Sequence, residues 1–395
     1  MSFKKSLAAL AVLGTAAGFA AAANVNLYGV VDEVLVYDYK DVTSIDGQKA
    51  VDGDSSFGLS SGYNAGSRWG LKGSEDLGNG LTVSFKLENG FAADAGTLSQ
   101  GGRLFGREAS LSLSGNFGTV SFGRMGGVGS SCGTYDLVYA YADAFDGFDN
   151  AIGGIAMSDR YDNMITYQTP SYAGVQATFQ YSFKQDTVNE ASTAREGSAA
   201  SDRYAAAAVT GDFGPLALVA AYEYQNRASD GSDADHDDAH TLYIGGNYDC
   251  GFAKTFVMGQ YFKGLNTHEL AFFDYTHGAG DDAKGIDDVS KEGVKGFGLH
   301  LGTVFPVASG DVTVAVYYVN GELEKATIGA APATDVDLSY IGLAARYTYP
   351  LSKRTSLYAG AGYSQTKYET SKVAANLSDV KDKVAQAYLG LTHTF

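Results

Sequence analysis

Residues able to do covalent or metal chemistry are sparse in this 395-residue sequence, and their spacing argues against that use. The six histidines are His236, His240, His268, His277, His300 and His393. A hydrolase needs a nucleophile with a base in hydrogen-bond reach, or a water activated between carboxylates and histidine. No serine or aspartate accompanies any of the six in such a pattern. Asp230, Asp233, Asp235, Asp237 and Asp238, with His236 and His240, form a metal-like cluster; Asp281, Asp282, Asp287 and Asp288 form a weaker one. Neither has the spacing of a calcium-binding helix–loop–helix. Both read as solvated outer loops holding divalent cations weakly, shared with surface lipid phosphates. No catalytic residue, no cofactor and no specific metal site is assigned. Cys132 and Cys250 read as unpaired thiols, because two cysteines in so long a chain make no disulfide framework.

The composition narrows the class. Asp plus Glu number 45 against 28 Lys plus Arg, a formal net charge of −17 that excludes a nucleic-acid binder, which needs a basic surface. Fifty-one Gly, 27 Tyr and only five Pro are a poor composition for disorder, which lacks aromatics. Met1–Ala23 carries Lys4 and Lys5, an apolar core from Leu7 to Phe19 and small residues at Ala21-Ala22-Ala23. That is a signal peptide cleaved near Ala23, leaving residues 24–395 as one exported unit. Beyond it there is no apolar run of about 18 residues, so a helical membrane protein is excluded.

The elements themselves are written in period-2 alternation. Leu81, Val83, Phe85 and Leu87 alternate with Thr82, Ser84, Lys86 and Glu88; Ala387, Leu389, Leu391 and Phe395 alternate with Tyr388, Gly390, Thr392 and Thr394. Short turns at Glu75–Gly80, Asn116–Gly118, Thr169–Gly174, Asp212–Pro215, Asp249–Gly251, Pro306–Gly310 and Pro350–Arg354 alternate with eight long polar stretches. These are Asp38–Gly58, Ala92–Leu104, Met125–Asp159, Lys184–Asp202, Arg227–His240, Lys263–Lys295, Gly321–Asp335 and Thr366–Val384. Such loops are uncommon in compact soluble domains. Short connections at one rim and long ones at the other predict an all-β, 16-stranded antiparallel transmembrane barrel. Tyr28, Tyr63, Trp69, Phe91, Tyr167, Tyr248, Phe305, Tyr349 and Phe395 fall near strand ends, as interfacial girdles do.

At Ser67–Leu81 (SRWGLKGSEDLGNGL) the chain resembles the Gram-negative general porins. The resemblance continues through Arg107–Arg124, Tyr161–Gly174, Pro350–Tyr358 and Tyr388–Phe395, and so spans the whole mature chain. It implies a homotrimer in the outer membrane, among lipids including lipopolysaccharide, passing small hydrophilic solutes and ions by passive diffusion. It also implies that Phe395 is an assembly signal read by the barrel-assembly machinery, and that the third long loop folds inward to narrow the pore. By motif position Arg68, Arg107 and Arg160 are the wall arginines of that constriction. Asp136, Asp143, Asp146 and Asp149 are its loop acids, at least two of them facing the pore.

Counting by twos places Arg68 with Lys72, and Arg160 with Asp162, Thr166 and Gln168. Arg107 falls among the outward Ala109, Leu111 and Leu113 unless a bulge turns it. The Pro-Glu-Phe-Gly-Gly core of the family's loop is absent. The acidic total suggests a weak preference for cations. Two other barrel readings stand beside general diffusion. One is a channel specific for a sugar or an anion; a sugar channel would carry an aromatic track, for which only the scattered Tyr28, Tyr358 and Tyr388 face inward. A structural or adhesive barrel would not conduct.

Overall fold

In lipid an alternating strand has one stable orientation, with apolar side chains against the acyl chains and polar ones toward the water inside. The computed structural model describes residues 24–188, 195–227, 237–266, 269–270, 286–287, 292–328, 333–374 and 376–395. It is a closed antiparallel barrel of sixteen strands. The first eight are β1 Asn24–Thr43, β2 in two segments (Lys49–Ser61 and Arg68–Gly78), β3 Leu81–Ala92, β4 Glu108–Gly115, β5 Gly118–Gly126, β6 Arg160–Gln168, β7 Val175–Ser182 and β8 Arg203–Phe213. The second eight are β9 Leu216–Asn226, β10 Ala239–Asp249, β11 Lys254–Leu265, β12 Val294–Val307, β13 Gly310–Ile328, β14 Thr334–Ser352, β15 Thr355–Tyr368 and β16 Val380–Thr394. Along β9, Leu218, Ala220 and Tyr222 are exposed while Val219, Ala221, Glu223 and Gln225 are buried. Along β10, Leu242 and Ile244 are exposed and Thr241, Tyr243 and Asn247 are buried. The apolar surface faces outward and the hydrogen-bonding surface inward, the reverse of a soluble protein. Among the described residues no helix is long and apolar enough to cross a membrane.

Seven short turns (79–80, 116–117, 169–174, 214–215, 250–253, 308–309 and 353–354) close one rim, and the longer connections lie at the other. β1 and β2 continue upward, so the first connection shrinks from the expected Asp38–Gly58 to residues 44–48. Strands likewise take most of Gly321–Asp335. The signal segment 1–23, the acids from Asp230 to Asp235 with His236, and Asp281, Asp282 and Asp288 lie outside the described residues. Cys132 is buried in the third loop and Cys250 exposed in a turn, both as free thiols.

Two features depart from a regular barrel. Both segments of β2 pair with β1, Ser61 opposite Glu33 and Arg68 opposite Val30, so residues 62–67 interrupt a single strand. The β1 backbone at Asp32 then lacks a ladder partner on that side, and two serine hydroxyls and the Gly62 N–H replace it. Asp32 N donates to Ser67 Oγ at 3.0 Å, while Asp32 O accepts from Gly62 N at 3.1 Å and Ser61 Oγ at 3.1 Å. The second departure is the third loop, 127–159, which turns into the barrel and carries a short helix, α1 Val138–Ala142. Inward glycines leave it room. A side chain at Gly245 would lie 2.6 Å from the Ala142 methyl, and one at Gly362 would lie 2.5 Å from Ile152. The aromatic reading also needs correction. Tyr167, Tyr248, Tyr349 and Phe395 are exposed as a girdle requires. Tyr28 and Tyr63 point inward, bonded to Glu88 and Gln386.

Closure joins β16 to β1, Val30 opposite Thr394 through Thr43 opposite Lys381. Phe395 completes it: Gly29 N donates to Phe395 O at 3.1 Å and Phe395 N to Gly29 O at 3.0 Å. A Cβ at Gly29 would lie 2.3 Å from the Phe395 ring. Deleting Phe395 removes both bonds, and Gly29→Val displaces the ring. Each change should lower the yield of heat-modifiable barrel severalfold, while Tyr172→Ala, at a turn residue 85% exposed, should not. Equal yields for all three on gels run with and without heating would show that the terminal residue closes nothing.

Candidate pore constriction

The third loop and the 62–66 segment narrow the lumen to a cavity of about 750 Å³. Four arginines line it: Arg68, Arg107, Arg160 and Arg346. Arg68 opens the lower segment of β2. Arg107 sits in a bend immediately before β4, and this bend, rather than a bulge, frees it from the outward set that counting predicts. Its Nε donates to Glu88 Oε1 at 2.8 Å. Burial, with the neighbouring Arg160 and Arg68 charges, lowers its pKa. Arg160 opens β6, its Nη1 3.9 Å from Asp159. Asn163, at φ 52°, then breaks the β6 alternation, so Tyr161 before it and Thr166 after it are both buried, and Asp162 binds Arg103 and Arg124. Arg346, on β14, lies 4.8 Å over the Phe145 ring and 3.9 Å from Asp149.

The four expected loop acids separate. Asp146 lines the cavity. Asp136 accepts from Ala140 N at 3.3 Å and is not among the lining residues; burial and the adjacent Asp146 carboxyl push it up to about 9. Asp143 and Asp149 do not reach the cavity, being 2% and 1% exposed. Asp143 Oδ1 accepts from Phe145 N at 2.7 Å and Tyr317 OH at 3.1 Å. Asp149 accepts from Ala151 N at 2.9 Å and from Tyr388 OH. Both fasten the loop to the wall. Glu269 joins the lining but is already held by Arg227.

Two further carboxylates complete the fastening. Glu108 accepts from Thr134 N at 3.1 Å and Thr134 Oγ1 at 2.6 Å. Glu223, on β9, accepts from Gly129 N and Ser158 Oγ at 2.9 Å each, Tyr204 OH at 2.5 Å and Tyr243 OH at 3.0 Å. Gln260 brackets Ala156, accepting from its N–H at 2.7 Å and donating to its carbonyl at 3.1 Å. The arrangement can hold an anion or orient a dipole in a fixed field; it contains no nucleophile poised against a base. Counting missed three parts. Arg346 carried a usable signal, a lone arginine among the small inward residues Gly342 and Ala344. The 62–66 segment was marked by glycine and serine runs that break alternation. Glu269 had none.

A family model described as Gram-negative porin matches residues 8–369. An outer membrane porin protein of Bordetella pertussis is 33% identical over 412 residues, covering 99% of this chain and 100% of that protein. Outer membrane porin protein 32 of Delftia acidovorans is 34% identical over 294 residues, 72% of this chain and 78% of the other. Among solved structures, an anion-selective porin from Comamonas acidovorans is 26% identical, with a TM-score of 0.62 over 94% of this chain and 100% of its own. OmpF of Salmonella typhi in complex with daunomycin, at 18% identity and a TM-score of 0.59 over 94% of this chain and 97% of its own, shares the fold.

The fastening has a measurable consequence. Glu223→Ala leaves the four groups it accepts from without their acceptor, and buried polar groups left unmatched cost about 1–3 kcal/mol each. Open-channel current noise should rise in that variant, and unchanged noise would show that the loop does not depend on it. Asp136 gives a second test. As pH rises above the ordinary carboxylate range its carboxyl ionises beside Asp146 and adds negative charge near the pore. The reversal potential in a KCl gradient should therefore move toward cations, and Asp136→Asn should remove that part of the shift. An identical titration in both proteins would place the ionising group elsewhere.

Proposed function

The chain belongs to the Gram-negative porin family, and from that premise we propose that its outer-membrane channel favours small anions, the four arginines setting the preference. That it is a channel for passive diffusion of small hydrophilic solutes and ions, in the Gram-negative outer membrane, follows from the family and the barrel. Such proteins are channels, not enzymes. The carrying observation is the lining itself: Arg68, Arg107, Arg160 and Arg346 share one cavity with Asp146 and the already paired Glu269. Fixed charges beside a narrow path between low-dielectric walls act on a passing ion more strongly than distant ones. The relative from Comamonas acidovorans described as anion-selective is in keeping with this reading.

The assembly we propose is a homotrimer, inserted by the barrel-assembly machinery, which reads Phe395, and surrounded by outer-membrane lipids including lipopolysaccharide. Residues 1–23 act as the export signal, cleaved near Ala23. Cys132 and Cys250 remain unpaired.

Planar-bilayer recording tests both parts. Insertion should give current steps in threes, and a KCl gradient should give a reversal potential of anion sign. Arg68→Gln with Arg160→Gln should move that potential toward cations at both low and high salt. Lys353→Gln with Arg354→Gln, at a turn remote from the cavity, should move it little, and only at low salt, because the Debye length is about 8 Å at physiological ionic strength. Equal shifts from the two pairs at high salt would remove Arg68 and Arg160 from the constriction. A wild-type potential of cation sign would overturn the preference.

A further inference from the structure

A channel for generic hydrophilic ions has no use for aromatic rings at its narrowest point, yet three line this cavity: Tyr63, Phe145 and Phe148. Tyr63 belongs to the segment that interrupts β2; its hydroxyl donates to Gln386 at 3.0 Å and its ring lies 5.4 Å from that of Tyr388. Phe145 carries Arg346 on its face. Phe148 is held at a cost. Asp146 and Phe148, on either side of Gly147, have φ of 57° and 61°, a region that residues other than glycine rarely adopt. Strained backbone of this kind persists only where the surroundings over-determine it, and it collects at ligand-handling sites. The surroundings here include Gly154, where any Cβ would lie 2.3 Å from the Phe148 ring. Gly154 thus leaves room for the Phe148 side chain, which also lines the cavity.

Resting on the anion preference above, we propose that the constriction is a weak binding site for aromatic carboxylates, and that Phe148 distinguishes an aryl anion from an aliphatic one. The chemistry is two-ended. A guanidinium pairs with a carboxylate through parallel N–H donors. A benzene ring, unlike a saturated ring of similar size, gains from edge-to-face or offset contact with a second ring. The cavity, at about 750 Å³, holds a benzoate-sized solute together with water. Binding must stay weak, since a conducting site has to release what it takes.

The probes are sodium benzoate, cyclohexanecarboxylate and acetate, added to the full-length reconstituted channel in KCl. The readout is the concentration of each that halves the chloride current. Benzoate should act at a concentration about threefold below cyclohexanecarboxylate, the scale of a single aromatic pair, with acetate weakest. Phe148→Leu should bring the two ring acids together, and Phe148→Tyr should keep them apart. Arg346→Gln should weaken both ring acids. Equal potency of benzoate and cyclohexanecarboxylate on the wild-type channel overturns the proposal, as does an unaltered gap in Phe148→Leu. The KCl potential separately reports the anion preference: a cation-sign potential sinks that reading, whereas an anion-sign potential with equal ring acids sinks only the aromatic site.

Discussion

Every backbone N–H and C=O in the hydrocarbon layer must find a partner inside the protein, and that constraint organises the molecule. It requires the sheet to close, so the last strand returns to the first and the terminal residue becomes part of the seam. It also explains how the β2 interruption is tolerated. A gap in the ladder would strand the Asp32 backbone groups, and hydroxyls from Ser61 and Ser67 fill it together with the Gly62 N–H. The inward bend follows from that repair: the chain freed between the two segments is what lines the cavity at Tyr63–Gly66.

The same constraint passes to the third loop. A long polar segment inside a barrel carries its own backbone groups into a confined space, where they need acceptors and donors from the wall. Four buried carboxylates take part, Glu108 and Glu223 from the wall and Asp143 and Asp149 from the loop itself, while Gln260 and Tyr340 bond loop backbone directly. Each acid is placed at a different azimuth, so the loop is fixed around its course instead of hinged at its ends. The acids that a reader of the sequence assigns to the pore are therefore divided between two tasks, and burial is what separates them: Asp146 lines the cavity and Asp149 is sealed.

That division marks the limit of what the sequence discloses. Strand number, rim polarity and the outward set were legible because a period of two leaves no ambiguity about faces. Arg68 was legible for the same reason. Arg107 was not, because a bend ahead of β4 resets the phase before the strand begins. Nor was the separation of Thr166 from the Arg160 set, since Asn163 at positive φ resets β6 midway. The extent of the first connection was misread because polar residues such as Asp52, Asp54, Ser55 and Ser56 look like loop, yet above the membrane a strand has no need of an apolar face. Loop side chains obey no period at all, so Asp143 and Asp146 could not be told apart without coordinates.

Net charge is the last quantity that needs a location before it means anything. The chain is strongly acidic, yet many acids are already matched: Asp162 by Arg103 and Arg124, Glu88 by Arg107, Glu269 by Arg227, Asp379 by Lys367. A matched pair projects a dipole, whose reach is short. Acids out on the loops are screened within about 8 Å at physiological salt. The four arginines differ in place: Arg107 is bound to Glu88 and Arg346 lies 3.9 Å from Asp149, yet all four line one cavity, whose lining carboxylates are Asp146 and the paired Glu269. The charge lining the path is thus set by these few residues and not by the total. Outer acids bear on how often an ion arrives at the mouth, and the guanidinium groups bear on whether it passes.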